Sequence, residues 1–153
     1  MKKLKIYVDT SVIGGCLDDE FKEFSNLLFD QFKTGKGIPV ISDVTIRELE
    51  HAPTEVADII KIIDSEILVI VSIDDEIRAL ARGYIDEGVM TIKNIEDATH
   101  IAAAVVSNVD VLVSWNFKHI VNINKIHLIN AVNVKHGYHS LEIFTPREVI
   151  NIE

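Results

Sequence analysis

The sequence predicts an α/β fold: a central, mostly parallel sheet of four to five strands with helices on both faces. Two observations carry this. Short apolar, β-rich segments alternate with segments of helical period from end to end. The apolar run Ile67–Val71 is unbroken, as expected of a strand covered on both faces. No internal repeat, low-complexity tract or linker interrupts the pattern, so a single domain over residues 1–153 is expected.

Leu4-Lys5-Ile6-Tyr7-Val8 alternates β-branched and aromatic residues and ends at Asp9, which predicts the first strand. Over 19–34, Phe21, Phe24, Leu28 and Phe32 recur at helical spacing until Gly35 and Gly37 stop the helix. The stripe reads as core or as a partner surface, with core the stronger reading. Ile38-Pro39-Val40-Ile41 predicts a second strand, with Pro39 near its start. Ser42 then caps a helix through Glu50. Pro53-Thr54-Glu55 opens another, with Val56, Ile59, Ile60 and Ile63 on one face. After the third strand, a helix from Asp74 to Gly88 carries Ile77, Leu80, Ala81, Tyr84 and Ile85. The next, over 95–107, carries Ile95, Ala98, Ile101, Ala102 and Val105. Val111–Val113 predicts a fourth strand, Asn124–His136 a last long helix ending at Gly137, Leu141–Ile143 a short fifth strand, and Pro146 a terminal turn.

The chain has 153 residues, with 15 Lys and Arg against 24 Asp and Glu, a net charge of −9. Residues 1–100 hold 20 acids and 11 bases, and residues 101–153 hold four of each, so the excess acid lies in the first two thirds. This argues against coating nucleic acid through bulk charge. A hydrophobic content of 48% excludes a disordered chain, and the longest apolar run, Ile101–Val106, is far short of a membrane span. Asp9 cuts short the apolar start, so no secretion signal is expected. The one cysteine, Cys16, excludes an internal disulfide and fits a reducing cytoplasm.

In an open parallel sheet, ligands bind at the carboxyl ends of the strands. Asp9 ends the first strand, Glu48 lies on the helix after the second, Asn116 follows the fourth, and Asp97 opens the helix leading into the fourth. Each has a bland explanation. Asp9 can accept from Ser11 in a local turn, Glu48 can complete a Thr45-x-x-Glu48 capping box, Asp97 suits a first helical turn, and Asn116 suits a loop. Together they surround one crevice, where close carboxylates repel unless a cation neutralises them. Hard oxygen ligands select Mg²⁺ or Mn²⁺. His136-x-x-His139 straddles Gly137 without companions, which argues against zinc.

Several segments together resemble the PIN-domain family, in the small single-domain form that serves as the toxin nuclease of virulence-associated toxin–antitoxin pairs. They are Val8-Asp9-Thr10-Ser11-Val12-Ile13, Arg47-Glu48-Leu49, Glu96-Asp97-Ala98-Thr99-His100-Ile101-Ala102, Val111-Leu112-Val113-Ser114-Trp115-Asn116-Phe117 and Thr145-Pro146-Arg147-Glu148. The resemblance covers nearly the whole chain and implies a three-layer α/β/α fold. It also implies an Mg²⁺- or Mn²⁺-dependent endoribonuclease acting on single-stranded RNA, with Asp9, Glu48 and Asp97 as metal-binding and catalytic acids. Thr10 or Ser11 would orient the site and touch RNA. A fourth acid of the family is replaced here by Asn116, a neutral oxygen ligand that would leave one ion well held and a second weakly. Glu48 would hold a water or act as general base, leaving a 5′-phosphate product. Lys118 and His119, just after Asn116, are the candidates to touch flanking phosphates, with a solvated loop as the equal alternative; His100, one turn from Asp97, can hydrogen-bond within the site, but an ordinary half-buried helix histidine is the stronger reading.

The resemblance further implies a homodimer and an antitoxin whose tail covers the groove. Haloacid-dehalogenase-like phosphatases need an aspartate where Ser11 stands, and receiver domains need an acidic neighbour that Asp9 lacks. The main alternative is a PIN-like module with weakened catalysis that works through RNA or protein binding, and Asn116 is the feature that keeps it open.

Overall fold

The computed structural model describes residues 3–150; residues 1–2 and 151–153, the two ends of the expected domain, lie outside the described residues. Five strands form one all-parallel sheet, in spatial order β3-β2-β1-β4-β5. They are β1 (Leu4–Val8), β2 (Gly37–Ser42), β3 (Val69–Val71), β4 (Val111–Val113) and β5 (Glu142–Phe144). The helices are α1 (Thr10–Gly15), α2 (Lys22–Lys33), α3 (Asp43–Glu50), α4 (Thr54–Ile60), α5 (Asp75–Asp86), α6 (Ile95–Val106), α7 (Ile123–Lys135) and α8 (Pro146–Val149). The three-layer α/β/α expectation holds.

The pleat of β1 divides the core. Ile6 and Val8 point into an apolar layer with Val12, Ile13, Leu28, Phe29 and Phe32 from α1 and α2. Tyr7 points the other way, among Ile77, Leu80, Tyr84, Ala98, Ile101 and Ala102 from α5 and α6. The three consecutive alanines, Ala102–Ala104, are fully buried and let α6 lie close against its neighbours. Of the aromatic stripe on α2, Phe32 is core, whereas Phe21 stacks on Trp115 with centroids 4.5 Å apart and Phe24 lies 5.4 Å beneath the Arg147 guanidinium.

Three local expectations are corrected. The run Ile67–Val71 yields only the three-residue β3, bonded on one side to β2, with Val69 43% and Ile70 51% exposed. It is an edge strand, because apolar continuity reports composition and not the number of neighbours. A short helix, α1, follows Asp9 where none was expected; six residues with two glycines hold too little of a helical period to show. Finally, Glu48 does not cap α3. Ser42 is the cap, and its partner in the capping box is Thr45, which places Glu48 well inside the helix.

Strand order reverses between β1 and β4, whose neighbours on the far sides are β2 and β5. The loops leaving the carboxyl ends of β1 and β4 therefore flank the topological switch point of the sheet.

Candidate active site at the sheet switch point

Asp9 leaves β1 at this point and is buried. Its backbone is extended and occupies the N-cap position of α1, but its carboxylate does not cap that helix. Ser11 Oγ donates to Oδ1 at 2.6 Å, and Ser114 Oγ donates to Oδ2 at 2.7 Å. Both hydroxyls are themselves fixed by backbone donors. Trp115 N–H donates to Ser11 Oγ at 2.9 Å, and Asn116 N–H donates to Ser114 Oγ at 2.9 Å. The strand ends of β1 and β4 are thus tied together through two serines that grip one carboxylate.

Glu48 comes from α3. Thr10 Oγ1 donates to its Oε1 at 2.6 Å, and His100 Nε2 stands 2.5 Å from the same oxygen. Among the described residues, Oε2 takes no hydrogen bond. Asp97, in the first turn of α6, accepts from Asn116 Nδ2 at 3.2 Å on Oδ2. The Asn116 amide orientation follows from its other contacts: Oδ1 accepts the Lys118 and His119 backbone N–H groups at 3.2 and 3.0 Å, so Nδ2 must face Asp97.

The three acids sense one another. Burial pushes the Asp9 carboxyl above the usual carboxylate range, and the Asp97 charge adds to the rise. His100, Ser11 and Ser114 offset it only in part. Burial likewise raises Asp97, with the Glu48 charge in the same sense, against His100, His119 and the Asn116 amide. Glu48 goes the other way. Burial alone would raise it, but the His100 hydrogen bond and charge, the Thr10 hydroxyl and Arg47 together hold it low and ionised.

The expected residues therefore gather unevenly. Asp9, Glu48 and Asp97 form one coupled group. Thr10 and Ser11 stand at the site with their hydroxyl protons committed to Glu48 and Asp9. Lys118 is exposed and His119 half-buried, both on the turn that Asn116 caps. Two participants were missed. His100 is 2% exposed and bridges Glu48 to the Tyr7 hydroxyl, which stands 2.7 Å from Nδ1. Its signal was its position one turn from Asp97 on the same helix face. Ser114 showed as a hydroxyl ending an apolar strand.

Among the described residues, no three acidic, histidine or cysteine side chains close into a ready metal cage. The donor set nevertheless suits a hard cation: every carboxylate oxygen is a hard ligand, and two of the acids carry a raised pKa that a cation would relieve. An ion held by one or two of these carboxylates, and otherwise by water, matches the habit of Mg²⁺.

No family model and no curated protein matches the sequence. Solved structures match in fold. The VapC20 toxin of Mycobacterium tuberculosis, described as cleaving the sarcin–ricin loop, superposes with a TM-score of 0.59 at 14% identity, over 75% of this chain and 92% of that one. FitAcB from Neisseria gonorrhoeae gives 0.59 at 14% identity over 93% and 98%. VapBC2 from Rickettsia felis, solved on a DNA fragment from its promoter, gives 0.54 at 16% identity over 75% and 90%. The chain shares the fold of these structures, and the resemblance carried by its sequence motifs holds at the level of the fold.

Proposed function

We propose that the protein is a metal-dependent endoribonuclease that hydrolyses single-stranded RNA, acting as the toxin of a toxin–antitoxin pair. The observation that carries this reading is the convergence of Asp9, Glu48 and Asp97, from three separate elements, as one coupled group at the switch point of a fold shared with toxins. Asp9 and Asp97 are the residues to hold Mg²⁺ or Mn²⁺, with Glu48 beside them. When bound, the ion supplies positive charge that lowers the pKa of water and shields a phosphodiester.

The chain's own groups supply the orientation. Ser11 and Ser114 hold both oxygens of Asp9 while leaving each a further lone pair. Asn116 steadies Asp97 by donation, which makes it a positioning residue in preference to the oxygen ligand its place in the sequence suggested. Thr10 and His100 fix Oε1 of Glu48, so that Oε2 is presented to a water. Glu48 orients that water and accepts its proton as the oxygen attacks phosphorus in line. The P–O3′ bond breaks, leaving a 5′-phosphate, and the released 3′-oxygen takes a proton from solvent to become a 3′-hydroxyl.

The same reading includes a protein antitoxin that covers the site. A homodimer and a cytoplasmic setting belong to the same reading, and among the described residues no helix is long and apolar enough to cross a membrane. A binding module with weakened catalysis is favoured by one observation, the commitment of Asn116 Oδ1 to backbone donors in place of a fourth carboxylate. RNA cleavage by the parent, Asp9→Asn and Asp97→Asn proteins with Mg²⁺, Mn²⁺ and EDTA separates the two. Activity that survives either substitution or EDTA would sink the metal-site reading. A parent that binds RNA or a partner but never cuts would favour the module.

A further inference from the structure

The chain contains four arginines, and three of them, Arg47, Arg78 and Arg82, line a single cleft of about 740 Å³. Lysine supplies eleven of the fifteen bases, so this wall concentrates the scarcer cation. The cleft lies between α3, α5 and the start of α6. It shares two helices with the site: Arg47 precedes Glu48 on α3, and its partner Glu96, 2.7 Å away, precedes Asp97 on α6, so the cleft lies on the neighbouring face of both helices, about 100° round from the acids.

The three arginine side chains are 55%, 62% and 62% exposed. Three acids, Asp43, Asp75 and Glu96, line the cleft against the three arginines, and Glu96 holds Arg47; Arg78 and Arg82 are held more loosely, Arg82 by Asp86 outside the lining. Asp43 Oδ2 is committed to the Ile73 N–H at 2.9 Å. Asp75 meets Arg78 at 3.1 Å from a wholly exposed side chain, and Asp86 reaches Arg82 only at 3.8 Å. Exposed pairs of this kind are worth little, and a guanidinium fork exchanges a carboxylate for a phosphate readily. In a protein of net charge −9, bulk attraction cannot hold a polyanion, so a local cluster must.

We propose that this cleft binds the sugar–phosphate backbone of the RNA strand beside the bond that is cut, with Arg78 and Arg82 on successive phosphates and Arg47 at the junction with the acids. The proposal rests on the ribonuclease reading and adds the path of the strand. It moves the main phosphate contact from the Lys118–His119 turn to the first two thirds of the chain.

The test compares the parent with an Arg78→Ala, Arg82→Ala double variant, whose altered residues touch none of the three site carboxylates. An unstructured single-stranded RNA of about 12 nucleotides is the probe, read by anisotropy in EDTA across a salt series. The variant should bind about 10-fold more weakly at ~0.1 M salt. Its slope of log affinity against log salt should be shallower by about 0.7 for each phosphate that is no longer neutralised. A Lys22→Ala, Lys61→Ala control makes the same charge change on α2 and beside α4 and should bind like the parent. With Mn²⁺, the double variant should show a raised KM and a nearly unchanged kcat.

Equal weakening by the control, or an unchanged affinity and KM in the double variant, overturns the cleft while leaving the nuclease intact. A variant that keeps RNA affinity but loses an acidic protein partner overturns it in favour of protein docking. A parent that neither binds nor cuts RNA overturns the nuclease reading and the cleft with it.

Discussion

His100 Nε2 lies 2.5 Å from Glu48 Oε1, on the far side of a ring whose Nδ1 meets the Tyr7 hydroxyl at 2.7 Å. Tyr7 also meets Ser42 Oγ at 2.8 Å, and burial keeps its phenol protonated. Whether Nδ1 accepts from the Tyr7 hydroxyl or, on a charged ring, donates to it, the ionised Glu48 requires a proton on Nε2, so the buried imidazole donates to the acid. Removing the ring as His100→Ala should leave a cavity and strip Glu48 of a donor. We expect a stability loss of about 2–4 kcal/mol in thermal melts. RNA cleavage should fall about 10- to 100-fold, the usual effect of losing a group that orients a ligand. His100→Gln, which can still donate, should recover part of the activity but not all of the stability. Cleavage by His100→Ala at the parent rate would show that Glu48 needs no such clamp.

The raised pKa values of Asp9 and Asp97 give the metal-free protein a defined pH response. Between the unfolded carboxyl values and the raised folded ones, the folded chain binds more protons than the unfolded chain. Stability therefore falls as pH rises through that window. Glu48 has the opposite sign: its lowered folded value contributes stability above the unfolded value and loses it as pH falls through the folded one. A divalent ion competes with protons for the two aspartates, so the rise in melting temperature on adding Mn²⁺ should grow as pH rises through their raised folded values. Asp9→Asn should abolish that metal response. Without metal, at a pH above the raised folded value of Asp9, it should melt above the parent, because it removes a buried charge. A Mn²⁺ response in Asp9→Asn as large as the parent's would place the ion elsewhere.

The strands were legible wherever pattern and neighbours agree. β1 and β4 lie where their β-branched runs place them, and the acid after β1 stands at the switch point because strand ends lead there. Ile67–Val71 misled because an apolar run does not record how many strands flank it. Glu48 and Asp97 were legible as acids near strand ends, but the roles of their partners were not. The clamp on Glu48 joins Tyr7, Thr10, Ser42 and His100 from four segments. The arginine cleft joins residues of α3 and α5 that the charge split by thirds had assigned to the acidic part of the chain. Spacing along one helix finds neighbours at three and four residues; it cannot find a tyrosine 93 positions away from its histidine.

Asn116→Asp separates a ligand from a positioning group. Asp at this position can keep the cap, since a carboxylate oxygen still accepts the Lys118 and His119 N–H groups. It replaces the Nδ2 donor to Asp97 with a second negative oxygen near 3.2 Å. The metal-free variant should therefore be less stable near neutral pH, by about 1–2 kcal/mol, with the loss shrinking as pH falls and one carboxyl of the pair protonates. If the added oxygen reaches the ion, Mn²⁺ affinity should rise and the melting deficit should close when metal is added. If Mn²⁺ affinity measured by calorimetry stays at the parent value, position 116 acts only on Asp97.

Gly15, at the end of α1, sits where a Cβ would lie 2.6 Å from Ser25 Oγ and 2.8 Å from Trp115 Nε1. Those two atoms bond each other at 2.8 Å, and Ser25 Oγ also donates to the Val12 carbonyl. Alanine is the better helix former by up to about 1 kcal/mol, so local propensity favours Gly15→Ala. Packing opposes it, because overfilling a tight site costs about 1–3 kcal/mol and the ring of Trp115 is already pinned against Phe21. The packing cost should win, with a net loss of about 1–2 kcal/mol in denaturant unfolding. The consequence should extend to the site. Trp115 N–H holds Ser11 Oγ, which in turn holds Asp9, so a displaced indole loosens the grip on the first acid. The protein contains one tryptophan, so its emission reports the displacement directly. A shifted Trp115 spectrum together with weakened Mn²⁺ binding would trace the path from glycine to carboxylate. A shifted spectrum with unchanged Mn²⁺ binding would show that Ser114 alone suffices to hold Asp9.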